Sequence, residues 1–172
     1  HPVLLDPVGA GASLLRTDTA VNLMAKLNLT AIRGNISEIK TLAKGCGTTK
    51  GVDADVADAV TEENLTEAVA FVKDFAQKNG VLTAVTGAID LVSDGEVCYV
   101  IRNGAAEMSR ITGTGCQLSA LMTAFLIANP KDGLTAAAAA VCMMGLAGEI
   151  GKSNMLPGDG NATYRNRIID AI

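Results

Sequence analysis

Apolar and polar positions along this chain follow two alternating periods, and each switch marks a boundary between a short strand and an amphipathic helix. Val3 to Leu5 has the pattern of a buried strand and leads into a Gly-rich loop. A helix is predicted from about Asp18 to Leu27, with Ala20, Leu23, Met24 and Leu27 on one stripe. Thr30 to Ile32 predicts a short strand, followed by a capped helix from Asn35. Thr61 to Lys78 is amphipathic, carrying Leu65, Ala68, Val69, Val72 and Phe75 on one face, and Val81 to Val85 is the next buried strand.

The rhythm then changes. Ile89 to Val92 and Val97 to Ile101 flank Ser93-Asp94-Gly95-Glu96, a hairpin signal. Beyond Gly113 two long Ala-rich helices are expected, the first opening near Gln117, with Asn129-Pro130 as the break between them. A last helix is predicted from about Ala162. The fold class is therefore α/β, with a mostly parallel sheet flanked by helices and one antiparallel hairpin. Residues 1–172 read as a single domain without repeats or linkers.

Composition narrows the function classes. Hydrophobic residues make up 49% and charged residues 19%, which suits a globular core rather than a disordered chain. The formal net charge is −4 and no basic stretch occurs, which argues against nucleic acid and anionic membrane surfaces. Three Phe, two Tyr and no Trp leave little for base stacking. A small-molecule protein is the expectation. The apolar run from Leu134 to Ala147 is shorter than a membrane span needs and reads as a buried helix. Cys46, Cys98, Cys116 and Cys142 form no CxxC pair, so reduced thiols in a cytoplasmic setting are expected rather than zinc or disulfides. The chain opens His1-Pro2 directly into a strand pattern, so it is expected to be the later part of a longer polypeptide.

Four segments carry candidate chemistry. Ile111-Thr112-Gly113-Thr114-Gly115-Cys116 precedes a helix, where Gly-rich backbone N–H groups and the helix dipole favour an anion. Cys116 follows in the first turn, within the same field. A glycine turn that only packs a helix start would have the same pattern. Asp6-Pro7-Val8-Gly9 lies at the carboxyl end of a buried strand, where ligands collect in open α/β sheets and where an Asp can ligate magnesium or orient its waters. A solvated Asp in a Pro-Gly turn is the alternative there.

Arg33-Gly34-Asn35-Ile36-Ser37-Glu38 contains a capping box, Asn35 with Glu38, which stabilises a helix start without any other function. The same geometry sets a carboxylate beside a strand end, and Arg33 can pair with phosphate oxygens. Val85-Thr86-Gly87 offers a hydroxyl at another strand end. No GxxxxGK(S/T) P-loop occurs, so a phosphate site here must be of another kind.

Asn35-x-x-Glu38 and the glycine-rich anion hole resemble the ribokinase-like kinases. The runs LLDPVGAGAS, AIRGNISEI, AVTGAIDLVSDG and RITGTGCQLSA resemble, in order, the signature segments of the hydroxyethylthiazole kinase family. The resemblance extends over essentially the whole chain and is weakest between Lys44 and Thr61 and after Met155. It implies a ribokinase-like layered fold and ATP- and Mg2+-dependent phosphorylation of the hydroxyl of 4-methyl-5-(2-hydroxyethyl)thiazole in thiamin salvage.

Carried over residue by residue, the resemblance implies Cys116 as the catalytic residue, at a position where most ribokinase-like enzymes have Asp. It implies an anion hole at Gly113, Thr114 and Gly115, thiazole contact at Gly113, ATP contact at Arg33 and Thr86, and magnesium-organising acids at Asp6 and Glu38. It further implies a homotrimer with active sites between subunits, and a chain lacking the family's N-terminal third, which supplies sheet strands and part of the thiazole pocket. Gly158-Asp159-Gly160-Asn161-Ala162 departs from the family's pattern and inherits no role. A related kinase acting on a pyrimidine or pyridoxal alcohol, and a non-catalytic nucleotide- or thiazole-binding relic, remain the alternatives.

Overall fold

A computed structural model describes residues 1–44 and 59–172. Cys46 and most of the stretch where the family resemblance is weakest before Thr61 lie outside the described residues. The chain forms two compact units, His1–Val100 and Ile101–Ile172.

The first unit is built on a sheet of order β1-β2-β3-β4-β5, with β1 at Leu4–Leu5, β2 at Ala31–Asn35, β3 at Leu82–Thr86, β4 at Asp90–Ser93 and β5 at Cys98–Ile101. β1, β2 and β3 are parallel, and β4 runs antiparallel to β3. Helix α1 (Leu14–Lys26) joins β1 to β2, α2 (Ile36–Lys44) follows β2 directly, and α3 (Leu65–Asn79) precedes β3.

Register decides which side chains share a face. Ile32 lies opposite Thr83, and Gly34 opposite Val85, which in turn lies opposite Leu91. Ile32, Val85 and Leu91 join Ile36, Ile39, Leu42, Val72 and Phe75 in one buried apolar cluster against the helices. The alternate residues Ala31, Arg33, Ala84 and Val92 belong to the other face.

α1 and β2 have bounds that periodicity does not predict. α1 opens at Leu14, four residues before Asp18, because Leu14 and Leu15 are 80% and 76% exposed and so stand outside the apolar stripe. β2 continues past Ile32 through Arg33-Gly34-Asn35, which are not a strand-like run. Parallel pairing with Ala84, Val85 and Thr86 extends the strand there.

The predicted hairpin turn forms between β4 and β5. Asp94 Oδ1 accepts from the N–H groups of Glu96 (2.9 Å) and Val97 (2.8 Å), and Ser93 Oγ donates to Val97 O at 2.7 Å. These backbone bonds, Val97's foremost, hold the Asp94 carboxyl below its ordinary range. A connection this short joins only antiparallel neighbours.

The second unit contains a 3-10 turn at Ala106–Arg110 and three helices, α4 (Thr114–Ala128), α5 (Gly133–Ser153) and α6 (Asn161–Asp170). α4 begins three residues before the predicted Gln117. α5 runs beyond Ala147 to Ser153, so the expectation that this apolar segment is too short for a membrane is overturned. At 21 residues it is long and apolar enough by length and composition, yet half of it is buried, packed against α4 and α6.

Asp132 Oδ1 caps α5 by accepting from Thr135 N. Its glycines admit close neighbours: a Cβ at Gly145 would meet Asn103, one at Gly148 would meet Met108, and one at Gly151 would meet the backbone of Ile168. Tyr164 Oη donates to Gly148 O at 2.9 Å, tying α6 to α5.

Gly95 tests this packing. Its φ is +101° and a Cβ there would lie 2.9 Å from the Gln77 backbone. Gly95→Ala should therefore cost about 3 kcal/mol in urea unfolding, from left-handed strain plus a clash with main chain. Gly87→Ala, whose Cβ would find nothing nearer than Ile89 O at 3.8 Å, should stay within about 0.5 kcal/mol of the parent.

Candidate active site

The carboxyl ends of the three parallel strands converge at one edge of the sheet, and the turn from β3 into β4 lies at that same edge. Asp6 follows β1, Arg33 is in β2, Thr86 ends β3, and Asp90 opens β4. Register places Arg33 opposite Ala84, and Asn35 opposite Thr86, so Arg33 and Thr86 emerge on one face, two residues apart along the strands. Arg33 Nη2 donates to Thr86 Oγ1 at 2.7 Å, and Arg33 Nη1 pairs with Asp6 Oδ2 at 3.3 Å. The Arg33 and Asp6 side chains are only 12% and 15% exposed, so salt screens this pair less than a surface ion pair. Among the described residues the buried Arg33 Nε has no hydrogen-bond partner, and the guanidinium has more N–H donors than these contacts use.

Glu38 lies just behind this edge. Its side chain is bound at both oxygens, with Oε1 accepting from Gly9 N (2.9 Å) and Oε2 from Asn35 N (2.8 Å). Asn35 Oδ1 returns a bond by accepting from Glu38 N at 2.9 Å, which completes the predicted capping box. The residue is 6% exposed. Burial pushes its carboxyl above the ordinary carboxylate value, the bonds from Gly9 and Asn35 act against that, the Asp6 charge adds to it, and Arg33 opposes it.

Asp90 went unnoticed in the sequence, where it sits inside the apolar run Ile89 to Val92. It accepts from Gly87 N at 2.8 Å. Burial pushes its carboxyl up to about 6, with the Gly87 bond and the Arg33 charge pulling the other way. The available signal was a strand-end Thr-Gly followed three residues later by an acid, a side-chain-closed turn. The ion pair between Asp6 and Arg33 was also not foreseen, since sequence reasoning treated them separately. An open cleft of about 290 Å³ runs beside Asp6, walled by Leu5, Val8, Leu15, Thr19 and Leu23.

In the second unit, Gly113 is the N-cap of α4 at φ +97°, and Thr114, Gly115 and Cys116 form its first turn. The first intrahelical bond from beyond this turn runs from Gln117 N to Gly113 O at 3.0 Å. The N–H groups of Thr114, Gly115 and Cys116 therefore precede the helical ladder, and no side chain caps them. Nothing lies within 4 Å of where a Gly113 Cβ would stand, so glycine is required there by backbone conformation and not by crowding. Cys116 is exposed and, like Cys98 and Cys142, a free thiol.

No group of three or more His, Cys, Asp or Glu able to hold a metal occurs among the described residues. Magnesium needs no such cage, because it keeps several waters and takes one or two carboxylates beside substrate phosphates. Since backbone donors already bind both Glu38 oxygens, the donor set fits an ion held through water.

The three bonds on Glu38 make a testable load. Glu38→Ala should lower stability by about 2–4 kcal/mol in chemical unfolding, because it removes the acceptor of the buried Gly9 N–H together with the bond from Asn35 N. Glu38→Gln retains one acceptor oxygen and should recover part of that loss.

Comparison with known proteins sets this geometry in a family. The profile of the hydroxyethylthiazole kinase family matches residues 1–172. A curated hydroxyethylthiazole kinase from Clostridium acetobutylicum is 52% identical over 172 residues, all of this chain and 63% of that protein. The solved structure of a hydroxyethylthiazole kinase protein from Pyrococcus horikoshii OT3 superposes with a TM-score of 0.78 at 29% identity, covering 99% of this chain and 58% of the other. A ribokinase-like superfamily protein from Enterococcus faecalis V583 shares the fold alone, with a TM-score of 0.61 at 14% identity over 99% of this chain and 52% of that one. The chain thus spans about three fifths of the length of the relatives it matches. With its whole described architecture and its sequence matched in this way, the chain belongs to the hydroxyethylthiazole kinase family.

Proposed function

We propose that this chain supplies the nucleotide-binding edge and the hydroxyl-activating helix start of an enzyme that transfers the γ-phosphoryl group of ATP to the hydroxyl of 4-methyl-5-(2-hydroxyethyl)thiazole. The observation that carries the reading is the strand-end cluster of Asp6, Arg33 and Thr86 in a member of this family. Arg33, held by Asp6 and Thr86 with donors to spare, presents its fork to the nucleotide's phosphate oxygens, and the Thr86 hydroxyl adds a further contact.

The open N–H groups at Thr114, Gly115 and Cys116 form an anion hole with Gly113, which also contacts the thiazole. They stabilise charge on the moving phosphoryl group. The Cys116 sulfur, as thiolate, accepts the substrate hydroxyl's proton as that oxygen bonds to the γ-phosphorus and the bond from the γ-phosphorus to the bridging oxygen breaks, with ADP as the leaving group. Magnesium, when bound, neutralises phosphate charge, and Asp6 and Glu38 are the acids that would order its waters.

The reading extends to a homotrimer with shared active sites in a cytoplasmic compartment. The three free thiols among the described residues agree with reducing conditions. The deciding experiment is ATP-dependent phosphorylation of hydroxyethylthiazole by the full-length protein, run beside hydroxymethylpyrimidine and pyridoxal. Phosphorylation of either alternative alcohol in preference to the thiazole overturns the substrate assignment.

Two variants check the residue roles. Arg33→Lys should raise the KM for ATP about tenfold, because an ammonium cannot reproduce a bidentate fork, while the KM for the thiazole stays within about twofold. Equal rises in both constants would make Arg33 a structural residue.

Phosphoryl transfer passes through a loose transition state, so positioning and charge neutralisation outweigh the base. Cys116→Asp should therefore remain active, and Cys116→Ala should retain a small residual rate because the anion hole survives. An inactive Asp variant with intact folding and ATP binding refutes proton acceptance at this position.

A further inference from the structure

Resting on the nucleotide reading of Arg33 and Thr86, we infer that Asp90 is a positioning residue for the nucleotide end of the site. Its carboxylate holds the turn after β3 so that the Thr86 hydroxyl meets Arg33.

Thr83 pairs with Ser93, Ala84 with Val92, and Val85 with Leu91, so the next positions along the hairpin set Thr86 against Asp90. Cross-strand neighbours project from the same face. Only Gly87, Ala88 and Ile89 lie between them, and Gly87 and Ala88 are exposed. Ile89 is anchored in the core, but the exposed Gly87 and Ala88 that directly follow Thr86 have no such anchor of their own. Asp90 supplies one by accepting from Gly87 N at 2.8 Å, on the residue that immediately follows Thr86.

One peptide away, Thr86 Oγ1 accepts from Arg33 Nη2 at 2.7 Å. The chain of contacts Asp90–Gly87–Thr86–Arg33 therefore runs from β4 to β2 without needing a nucleotide. The Arg33 charge also acts on the Asp90 carboxyl, which places the two groups within electrostatic reach. A half-buried acid is costly in an ordinary hairpin, where a neutral turn residue serves as well. What the turn uses here is the acceptor oxygen, which Asp90 offers to the N–H of the residue that follows Thr86.

The test measures steady-state constants of the full-length protein for ATP and for the thiazole. Asp90→Ala should raise the KM for ATP about tenfold, while kcat and the KM for the thiazole remain within about twofold. Asp90→Asn, which keeps an oxygen acceptor for Gly87 N–H but loses the charge, should restore the KM for ATP to within about threefold of the parent. Asp90→Glu, which keeps the charge but displaces the acceptor by a methylene, should raise it as Ala does, and decides the matter if the Ala variant does not fold.

Unchanged ATP constants in both Ala and Glu variants overturn the inference. So does an Asn variant as impaired as Ala, or an equal loss of affinity for both substrates. Thr86→Ala and Arg33→Lys separate the two levels. If they raise the KM for ATP and the Asp90 variants do not, this inference fails alone; if they too leave it unchanged, the nucleotide reading falls and takes this with it.

Discussion

The carboxylate of Glu38 is the constraint on which the site edge depends. It reaches from the first turn of α2 to two separate stretches of main chain, accepting from Gly9 after β1 and from Asn35 at the end of β2. Gly9 lies 29 residues earlier in sequence. A single side chain therefore binds the loop that follows Asp6 to the junction where β2 becomes α2, and sets the relation between Asp6 and Arg33. Neighbouring residues are shaped around it: a Cβ on Gly34 would lie 3.1 Å from Glu38 Oε2 and 3.3 Å from Ile39 Cδ1. Burying an acid is costly, and the two N–H groups that bind it offset part of the cost.

Electrostatics follow from that arrangement. Asp6, Glu38 and Asp90 all lie within the influence of Arg33, and a second guanidinium, Arg16, lines the cleft beside Asp6 and reaches Val8 O at 3.4 Å. Three acids stand against these two guanidinium groups, and two of the acids, Glu38 and Asp90, are raised above their ordinary values mainly by burial. Such a cluster opposes a bare anion and suits one accompanied by a divalent cation, in keeping with the way magnesium shares its coordination between phosphates and carboxylates. At the start of α4 the logic is the reverse, since no acid occurs in its first turn and its positive pole is open.

The order of the strands and helices, the hairpin turn and the capping box were legible in the chain. Each rests on local rules: apolar period, the demand of a turn for Asp and Gly, and a side chain reaching three residues along a helix start. Asp94 and Gly95 close their turn, and Asn35 and Glu38 bond reciprocally, with no help from distant residues. Family membership was also carried by the sequence, through long runs of matching residues. The limits of α1 and β2 were not, because Leu14 and Leu15 form an exposed helix start, and Arg33 to Asn35 become strand only through pairing with β3.

What the sequence by itself determined is thus the set of local elements and the identity of the chemical groups. Tertiary structure alone decided which groups meet. Asp6 and Arg33 are 27 positions apart, and Arg33 and Thr86 are 53 apart, and their contacts exist because three parallel strands align their carboxyl ends in one register. The second bond of Glu38, to Gly9, and the exposure of Asp90 to the Arg33 charge have the same origin. A one-residue slip between β2 and β3 would turn Thr86 to the opposite face from Arg33. No local rule encodes that alignment; it comes from burying Ile32, Val85 and Leu91 together beneath the helices, which fixes the register and with it the opposite, charged face.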